Sequence, residues 1–298
     1  KCTSLTSIEL PSSITSISCD AFNNCSSLSS IQIPPLIEKI ESGTFAGCAS
    51  LTNIEFPSTL KSIGDKAFKG CTSLAQITIP PSVTSIEEGA FTKYTSLTNI
   101  ELPTTLKSIE NKTFKKCSSL ISFTITSSVT LIGKSAFEGC SSLTNIEFPS
   151  SLKSIDSYAF NSCSSLTRID FPNSLESIGD DAFSNCFLIK SIEIPSSVTS
   201  IGNLKFDENS SLISIKIPSS VKKMGNVNFE NCSTLENYEL PPSVESIGDV
   251  SFCNCTLLTR IIFPFGLKSI KYLAFSGCTA LTSIEVPSSV TSISINNC

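Results

Sequence analysis

The sequence of 298 residues predicts a repeat solenoid of the α/β type, in which coils of 23 residues stack to form a parallel strand face. A first column of residues has a period of 23 and is mostly cysteine: Cys2, Cys25, Cys48, Cys71, Tyr94, Cys117, Cys140, Cys163, Cys186, Asn209, Cys232, Cys255 and Cys278. A second column holds phenylalanine with the same period, from Phe22 to Phe275. No insertion or deletion interrupts the register. Residues 1–298 are therefore predicted to form a single solenoid of thirteen coils, starting at residues 2, 25, 48, 71, 94, 117, 140, 163, 186, 209, 232, 255 and 278.

Each coil contains, in order, a strand, a turn, a second extended piece and an arc. In the coil that starts at Cys140, residues 145–148 read Asn-Ile-Glu-Phe, the alternation expected of a strand with one buried face. Pro149 ends this strand because it lacks an amide donor. Residues 152–155 form the second extended piece. The arc that carries the Ala-Phe pair is too short for a full helix, so we expect a helical turn or an irregular arc, and a coil that is mostly β and irregular with little helix.

The repeated pattern closely resembles a known family. It reads Leu-x-x-Ile-x-Ile-Pro-x-x-Val-x-x-Ile-Gly-x-x-Ala-Phe-x-x-Cys and is nearly intact over residues 74–91 and 120–140. This is similar to the BspA-like, TpLRR subclass of leucine-rich repeats, and the resemblance covers the whole chain. It implies a leucine-rich-repeat horseshoe or right-handed superhelix. Members are known mostly as surface proteins of host-associated bacteria and parasitic protists, and several are implicated in adhesion, so the resemblance implies an adhesin-like binding role.

Composition argues against several other classes of protein. The net charge of −5 disfavours a nucleic-acid partner, which would need a basic stripe. No apolar run approaches the roughly 20 residues of a membrane span. Histidine, the commonest general base, is absent. A Ser–Lys pair such as Ser108 with Lys107 is formally possible, but a polar coil surface is favoured. We therefore expect no enzyme activity, no catalytic residues, no cofactor and no metal.

The cysteine column has two interpretations, a disulfide or metal ladder and a column of buried free thiols. Parallel Cβ vectors are poor geometry for disulfides, and a one-dimensional ladder does not converge on a zinc ion. Buried thiols, which pack as small hydrophobes, are favoured. The predicted structural ladder comprises Cys25, Cys48, Cys71, Cys117, Cys140, Cys163, Cys186, Cys232, Cys255 and Cys278. Cys19 and Cys253 lie outside it and are candidates for exposed thiols, whereas Cys298 falls in the phenylalanine column.

One polar column on the predicted strand face holds glutamate in every second coil, a period of 46 residues. Asparagines two residues earlier project from the same face. The alternation is explained either by a solvated face that avoids repulsion between adjacent carboxylates or by an acidic stripe that docks a basic or extended partner. The candidate ligand-binding residues are Glu9, Asn53, Glu55, Asn99, Glu101, Asn145, Glu147, Asp170, Glu193, Asn237, Glu239 and Glu285.

These observations favour a non-catalytic protein-binding module. We expect a cell-surface or secreted adhesin that binds host matrix proteins or other cells through its concave strand face. Five N-glycosylation sequons, at Asn24, Asn111, Asn209, Asn231 and Asn254, are weak support for secretion. The alternative is a structural scaffold or filament-forming protein, which would be cytoplasmic. Neither end has the polar cap typical of a solenoid, so we expect a piece of a longer array, or ends that allow end-to-end self-association.

Overall fold

The structure, a computed structural model, describes residues 1–294, which consist of short parallel strands and turns without any helix. The chain divides into two compact units, Lys1–Leu152 and Lys153–Cys298. Both are built from parallel β-solenoid turns of about 23 residues. The predicted fold class is confirmed, and the arcs between strands consist of successive tight turns. That one solenoid spans residues 1–298 stays a prediction.

Two sets of strands recur in the unit Lys1–Leu152. The first-face strands have three residues with only the central one buried, and they are Ser30–Gln32, Asn53–Glu55, Ser122–Thr124 and Asn145–Glu147. The second-face strands have two residues, and they are Lys39–Ile40, Ser62–Ile63, Ser85–Ile86, Ser108–Ile109 and Leu131–Ile132. Every pairing is parallel and joins residues 23 apart, as Ile31 with Ile54. The sequence period is therefore the strand register.

The unit that starts at Lys153 repeats this arrangement. Its first-face strands are Ser191–Glu193, Ser214–Lys216, Asn237–Glu239 and Arg260–Ile262. Its second-face strands are Ser154–Ile155, Ser177–Ile178, Ser200–Ile201, Lys223–Met224, Ser246–Ile247, Ser269–Ile270 and Ser292–Ile293. A third parallel pair joins Leu204–Lys205 to Val227–Asn228. Here the backbone stays extended where other coils turn with a positive φ, as at Asp181 (φ 51°) and Val250 (φ 51°).

Stacked apolar columns form the core of each unit. Leu, Ile and Ala side chains of equivalent positions are buried beside the phenylalanine column. In the unit Lys1–Leu152, the rings of Phe22, Phe45 and Phe68 stack in sequence with centroids 5.4 Å apart. In the other unit, Phe160 and Phe183 stack at 5.3 Å. Nearly parallel rings at this spacing are offset pairs, which add to the stabilisation from burial. Because each ring contacts those of its neighbours, a coil is stable only within the stack.

Serine and threonine hydroxyls satisfy backbone carbonyls between coils. In the turn that follows the first-face segment of a coil, a hydroxyl donates to the carbonyl oxygen 22 residues earlier: Ser82 to Leu60 (2.6 Å), Ser128 to Leu106 (2.6 Å), Ser220 to Val198 (2.9 Å) and Ser289 to Leu267 (2.7 Å). Much of the serine content therefore serves the stack. Buried carbonyls without such a donor would cost about 1–3 kcal/mol each.

The predicted cysteine ladder is buried, and its thiols donate hydrogen bonds. The thiols of Cys48, Cys71, Cys117, Cys140, Cys186, Cys232, Cys255 and Cys278 donate to the carbonyl oxygen of the phenylalanine 26 residues earlier, at S···O distances of 2.8–3.3 Å. In the same column, Asn209 donates to the carbonyl oxygen of Cys186 at 2.9 Å. Each such side chain therefore ties one coil to the coil before it.

Burial raises the pKa of these thiols. The pKa reaches about 12 at Cys48, where burial and the neighbouring Cys25 raise it, and at Cys117, Cys186 and Cys232, where burial is the largest cause. A buried thiolate would lie in an apolar surrounding. These four thiols are thus held in their protonated form, in which they can donate.

The predicted number of coils needs correction, because residues 1–294 form about eleven turns, not thirteen. The first and last repeats carry the sequence pattern without forming enclosed turns. In the first repeat, Ser7 makes only an isolated bridge to Ser30, and Leu5 and Ile8 remain partly exposed. In the last repeat, Val286 is 42% exposed and Ile293 45% exposed. A repeat contacted by a neighbour on one side only leaves its apolar columns open.

We expect that replacing one buried ring will destabilise the unit that starts at Lys153. Phe229 is fully buried and contacts the rings of Phe206, Tyr238 and Phe252. Phe229→Ala should cost about 3–5 kcal/mol, because it removes buried area and leaves a cavity. Phe265, which is 95% exposed, provides the control, and Phe265→Ala should change stability by less than about 0.5 kcal/mol. Urea unfolding followed by circular dichroism measures both, and equal midpoints would contradict a stacked core.

We also expect the stability of the chain to fall at alkaline pH. Below the ordinary thiol pKa of 9.0, folded and unfolded states are both protonated. Between that value and the folded pKa of about 12, only the unfolded state loses protons, so each such thiol costs about 1.4 kcal/mol of stability per pH unit. Urea midpoints measured from pH 8 to pH 10.5 should therefore decline. The variant Cys48→Ala with Cys117→Ala should decline less steeply, and equal slopes would show that these thiols do not contribute.

Candidate functional site

Four exposed carboxylates occur on the first face of the unit Lys1–Leu152. They belong to Glu9, Glu55, Glu101 and Glu147, here called the acidic stripe, and they alternate with the uncharged Gln32, Thr78 and Thr124. The parallel register places Gln32 opposite Glu55 and Thr124 opposite Glu147. With strands about 4.8 Å apart, successive carboxylates of the stripe are separated by roughly 10 Å.

None of the four carboxylates of the acidic stripe forms an ion pair within residues 1–294. The ion pairs of this unit lie elsewhere, as between Lys112 and Glu88 (2.7 Å). That pairing lowers the pKa of Glu88, through its hydrogen bond and charge interaction with Lys112. The acidic stripe thus presents charge that no lysine or arginine of this part of the chain neutralises.

The same column in the unit that starts at Lys153 is partly neutralised. The guanidinium of Arg168 lies 2.6 Å from Asp170, and the ammonium of Lys216 lies 3.6 Å from Glu193 on the adjacent strand. All four side chains are more than half exposed, so the pairs contribute little stability. Farther along, Glu239 lies opposite the apolar Ile262. The two-coil alternation of glutamate does not reveal these pairs, although opposite charges two residues apart on a strand indicate the first of them.

Asparagine amides lie beside the carboxylates on the same face. Asn53, Asn99 and Asn145 are exposed, each two residues before a glutamate of the stripe. In the other unit, the side-chain oxygen of Asn237 accepts from the hydroxyl of Thr259 at 3.3 Å. An exposed amide offers both donors and an acceptor, so the first face of Lys1–Leu152 combines negative charge with groups that can bind a peptide backbone.

Between the first and the last repeat, three segments of the predicted strand face lack ladder hydrogen bonds. Residues 76–78, 99–101 and 168–170 keep the alternation without being strands. Their central residues, Ile77, Ile100 and Ile169, are nonetheless buried. Because each isoleucine is buried, the polar residues on either side of it project outward even without ladder hydrogen bonds. The candidate residues Asn99, Glu101 and Asp170 are therefore exposed.

Two depressions open beside the glutamate column. One, of about 370 Å³, is lined by Glu9, Gln32 and the turn residues Pro34 and Pro35. The other, of about 400 Å³, lies in the second unit beside Arg260 and Glu285, which is the last residue of the predicted stripe. Both are shallow surface features with charged rims, suited to side chains of a partner.

The Ser–Lys pair and the cysteines outside the ladder show no reactive arrangement in the described residues. Ser108 donates its hydroxyl to the carboxylate of Glu110 and not to Lys107. Cys19 is exposed and Cys253 is partly exposed, whereas the prediction for Cys298 lies outside the described residues. Within residues 1–294, no cluster of three or more histidine, cysteine, aspartate or glutamate side chains could hold a metal ion. The same residues include no helix able to cross a membrane.

The five sequons differ in their surroundings. Asn209 is only 1% exposed and is hydrogen-bonded within the stack, so a folded chain does not offer it for glycosylation. Asn24 and Asn254 are exposed at turns with positive φ. The side chain of Asn254 donates to that of Asn231 at 2.9 Å. Burial thus separates the accessible sequons from the inaccessible one.

Comparison with known proteins identifies the family of the repeat. A family model described as a BspA type leucine rich repeat region of six copies matches residues 1–97, 84–212 and 176–297. A leucine-rich repeat protein from Bacteroides ovatus is 35% identical, with a TM-score of 0.79 over 94% of this chain and 78% of that one. No curated protein matches the chain.

Two further solved structures share the fold. A leucine-rich cell surface protein from Faecalibacterium prausnitzii is 26% identical, with a TM-score of 0.51 over 93% of this chain and 81% of that one. The pneumococcal vaccine antigen PcpA is 22% identical, with a TM-score of 0.53 over 89% of this chain and 74% of that one, a likeness of fold alone.

The comparisons confirm the resemblance inferred from the repeat pattern. Leucine-rich-repeat solenoids are generally non-catalytic, and the family suggests a role in protein interaction or adhesion. The match of the family model extends from residue 1 to residue 297, and the chain belongs to the BspA-type leucine-rich-repeat family.

Proposed function

We propose that this chain is a protein-binding module of a cell-surface or secreted adhesin, which binds host matrix proteins or other cells through its first face. The observation that carries the proposal is the acidic stripe of Lys1–Leu152, whose carboxylates have no ion-pair partner within residues 1–294. The family supports an interaction role, and the F. prausnitzii relative is named as a cell surface protein.

The chemistry of the stripe favours a basic, extended partner. Carboxylates about 10 Å apart match cationic side chains that recur every three residues along a polyproline-II segment, which has three residues per turn and rises about 3.1 Å per residue. Adjacent asparagine amides can bind the backbone of that chain between its charged side chains. Charge complementarity of this kind mainly accelerates encounter and selects partners, and it weakens as salt rises. A specific matrix ligand with clustered lysine and arginine fits this surface.

The second candidate is a scaffold that has no soluble ligand. It is favoured by the uninterrupted register and by the buried, reduced thiols of the ladder. Reduced thiols are usual in the cytoplasm, whereas exposed cysteines of secreted proteins tend to be oxidised. Because the ladder thiols are buried, they also persist in an oxidising compartment, so this observation favours the scaffold only weakly.

Neutralising three of the four carboxylates of the stripe should strongly reduce ligand capture. The variant Glu55→Gln, Glu101→Gln and Glu147→Gln removes three exposed charges without touching the core. We expect capture of soluble matrix proteins by the immobilised chain to fall at least about tenfold at low salt, since each exposed pair contributes up to about 1 kcal/mol. Surface plasmon resonance at 25 and 150 mM salt measures this capture.

The matched control removes the same charge from turns of the same unit: Asp20→Asn, Asp65→Asn and Glu87→Gln. It should capture ligand like the unmodified chain. Equal capture by all three proteins would place the binding surface on another face. An absence of capture by the unmodified chain would favour the scaffold.

A further inference from the structure

A second row of charges with the same two-coil period lies on the second face of Lys1–Leu152. Lys61 and Lys107 are exposed and directly precede the second-face strands Ser62–Ile63 and Ser108–Ile109. In the next coil after each lysine the equivalent residue is a threonine, Thr84 or Thr130. These two lysines are here called the lysine row.

The lysine row is in phase with the acidic stripe. Glu55 and Lys61 belong to one coil, and Glu101 and Lys107 belong to the coil two turns later. The coil between them carries Thr78 and Thr84 at the same two positions. From Glu55 to Thr130, charge at these two positions is therefore present on both faces of a coil or absent from both, whereas the two preceding coils depart from this rule with Thr15 beside Glu9 and Glu38 beside Gln32. Within residues 55–130 both rows have a spacing of about 10 Å.

The lysine row is held by the backbone and is not neutralised. The amide of Thr84 donates to the carbonyl of Lys61 at 2.8 Å, and the amide of Thr130 donates to the carbonyl of Lys107 at 2.9 Å. Neither lysine forms an ion pair within residues 1–294. Within a coil, Glu55 and Lys61 stand on different faces and do not meet. Both rows thus remain available to a partner outside the chain.

We propose that the acidic stripe of one molecule binds the lysine row of a second copy of this chain, so that solenoids associate side by side. Equal period and equal phase allow the ammoniums of Lys61 and Lys107 to face two successive carboxylates of the neighbour at once. The contact joins two different faces, so it is heterologous. In a bound pair, one copy still presents a free lysine row and the other a free acidic stripe. The inference rests on the proposed use of the stripe as a binding surface and names a partner for it.

Individual contacts in such an assembly are weak. Exposed ion pairs are screened by salt and contribute little each. Copies held at high local concentration, as on a surface, bind through several contacts at once, and the effective affinity rises without new contacts. Side-by-side association should therefore appear at low ionic strength and high protein concentration and should be reversible.

Sedimentation velocity of the full chain, without any added ligand, tests the inference. At 25 mM salt the average mass should rise with concentration, and 500 mM salt should reverse that rise. The variant Glu55→Gln, Glu101→Gln and Glu147→Gln and the variant Lys61→Gln and Lys107→Gln should each lower the association constant about tenfold. The turn variant Asp20→Asn, Asp65→Asn and Glu87→Gln should behave like the unmodified chain.

Charge reversal gives a sharper test. A chain with Glu55, Glu101 and Glu147 changed to Lys and a chain with Lys61 and Lys107 changed to Glu should each remain monomeric, because like charges then face each other. Their mixture should associate, because each reversed row meets a complementary one. The control mixture carries the same changes of net charge on turns. In it, Asp20, Asp65 and Glu87 of one chain are changed to Lys, and Lys66 and Lys116 of the other chain are changed to Glu. This mixture should associate no more than the unmodified chain.

The outcomes separate this inference from the proposed adhesin function. Two results would overturn the inference: an unmodified chain that stays monomeric at low salt, or association that is equally strong after either row is neutralised. Neither result bears on the capture of matrix proteins, which is tested separately. Loss of association in the lysine variant with unchanged capture of matrix protein supports both. Salt-sensitive association without capture supports the inference and argues against the matrix ligand.

Discussion

The stacking of equivalent residues 23 positions apart is the constraint on which the rest of this structure depends. A single coil has too few residues to enclose its own leucine, isoleucine and phenylalanine side chains, so each column is buried only by the same column of its neighbours. Parallel pairing of residues 23 apart supplies the backbone hydrogen bonds in the same step. An insertion of one residue would shift the apolar columns and the ladder together, which accounts for the unbroken register.

Stacking also creates a polar requirement, because each turn brings carbonyl groups into the interior. The thiols of the ladder donate to phenylalanine carbonyls, and the amide of Asn209 donates to the carbonyls of Cys186 and Ile189 in the preceding coil. Hydroxyls after the strand donate to carbonyls of the preceding coil. Tyr94 is the contrasting case, since its hydroxyl is buried without a hydrogen-bond partner. Its ring contributes packing against Phe91, centroids 5.9 Å apart, in place of a hydrogen bond.

The sequence predicts those features that depend on the period and misses those that depend on individual neighbours. The buried columns, the parallel face and the exposure of Glu55 and Glu147 follow from alternation and register. The ion pair between Lys216 and Glu193 depends on side-chain conformations in adjacent coils, which the pattern does not specify. Similarly, the pattern counts the repeats that start at residues 2 and 278 as coils, but it contains no information on whether a second neighbour encloses them.

Core and surface follow different periods for a physical reason. The core repeats every coil, because a side chain of different volume in one column would leave a cavity or a clash with the next. On the surface, like charges in consecutive coils would stand about 5 Å apart and repel, whereas a gap of one coil brings them to roughly 10 Å, beyond the Debye length at physiological salt.

A two-coil alternation of glutamate therefore reduces self-repulsion on one face, but it does not require lysine on the other face to occur in the same coils. The coincidence of Glu55 with Lys61 and of Glu101 with Lys107 is better explained by association in which each row meets the complementary row of a different neighbour, or by duplication of a two-coil unit, than by the stability of an isolated molecule. Duplication explains how the phase arose, whereas only a contact between molecules makes use of it.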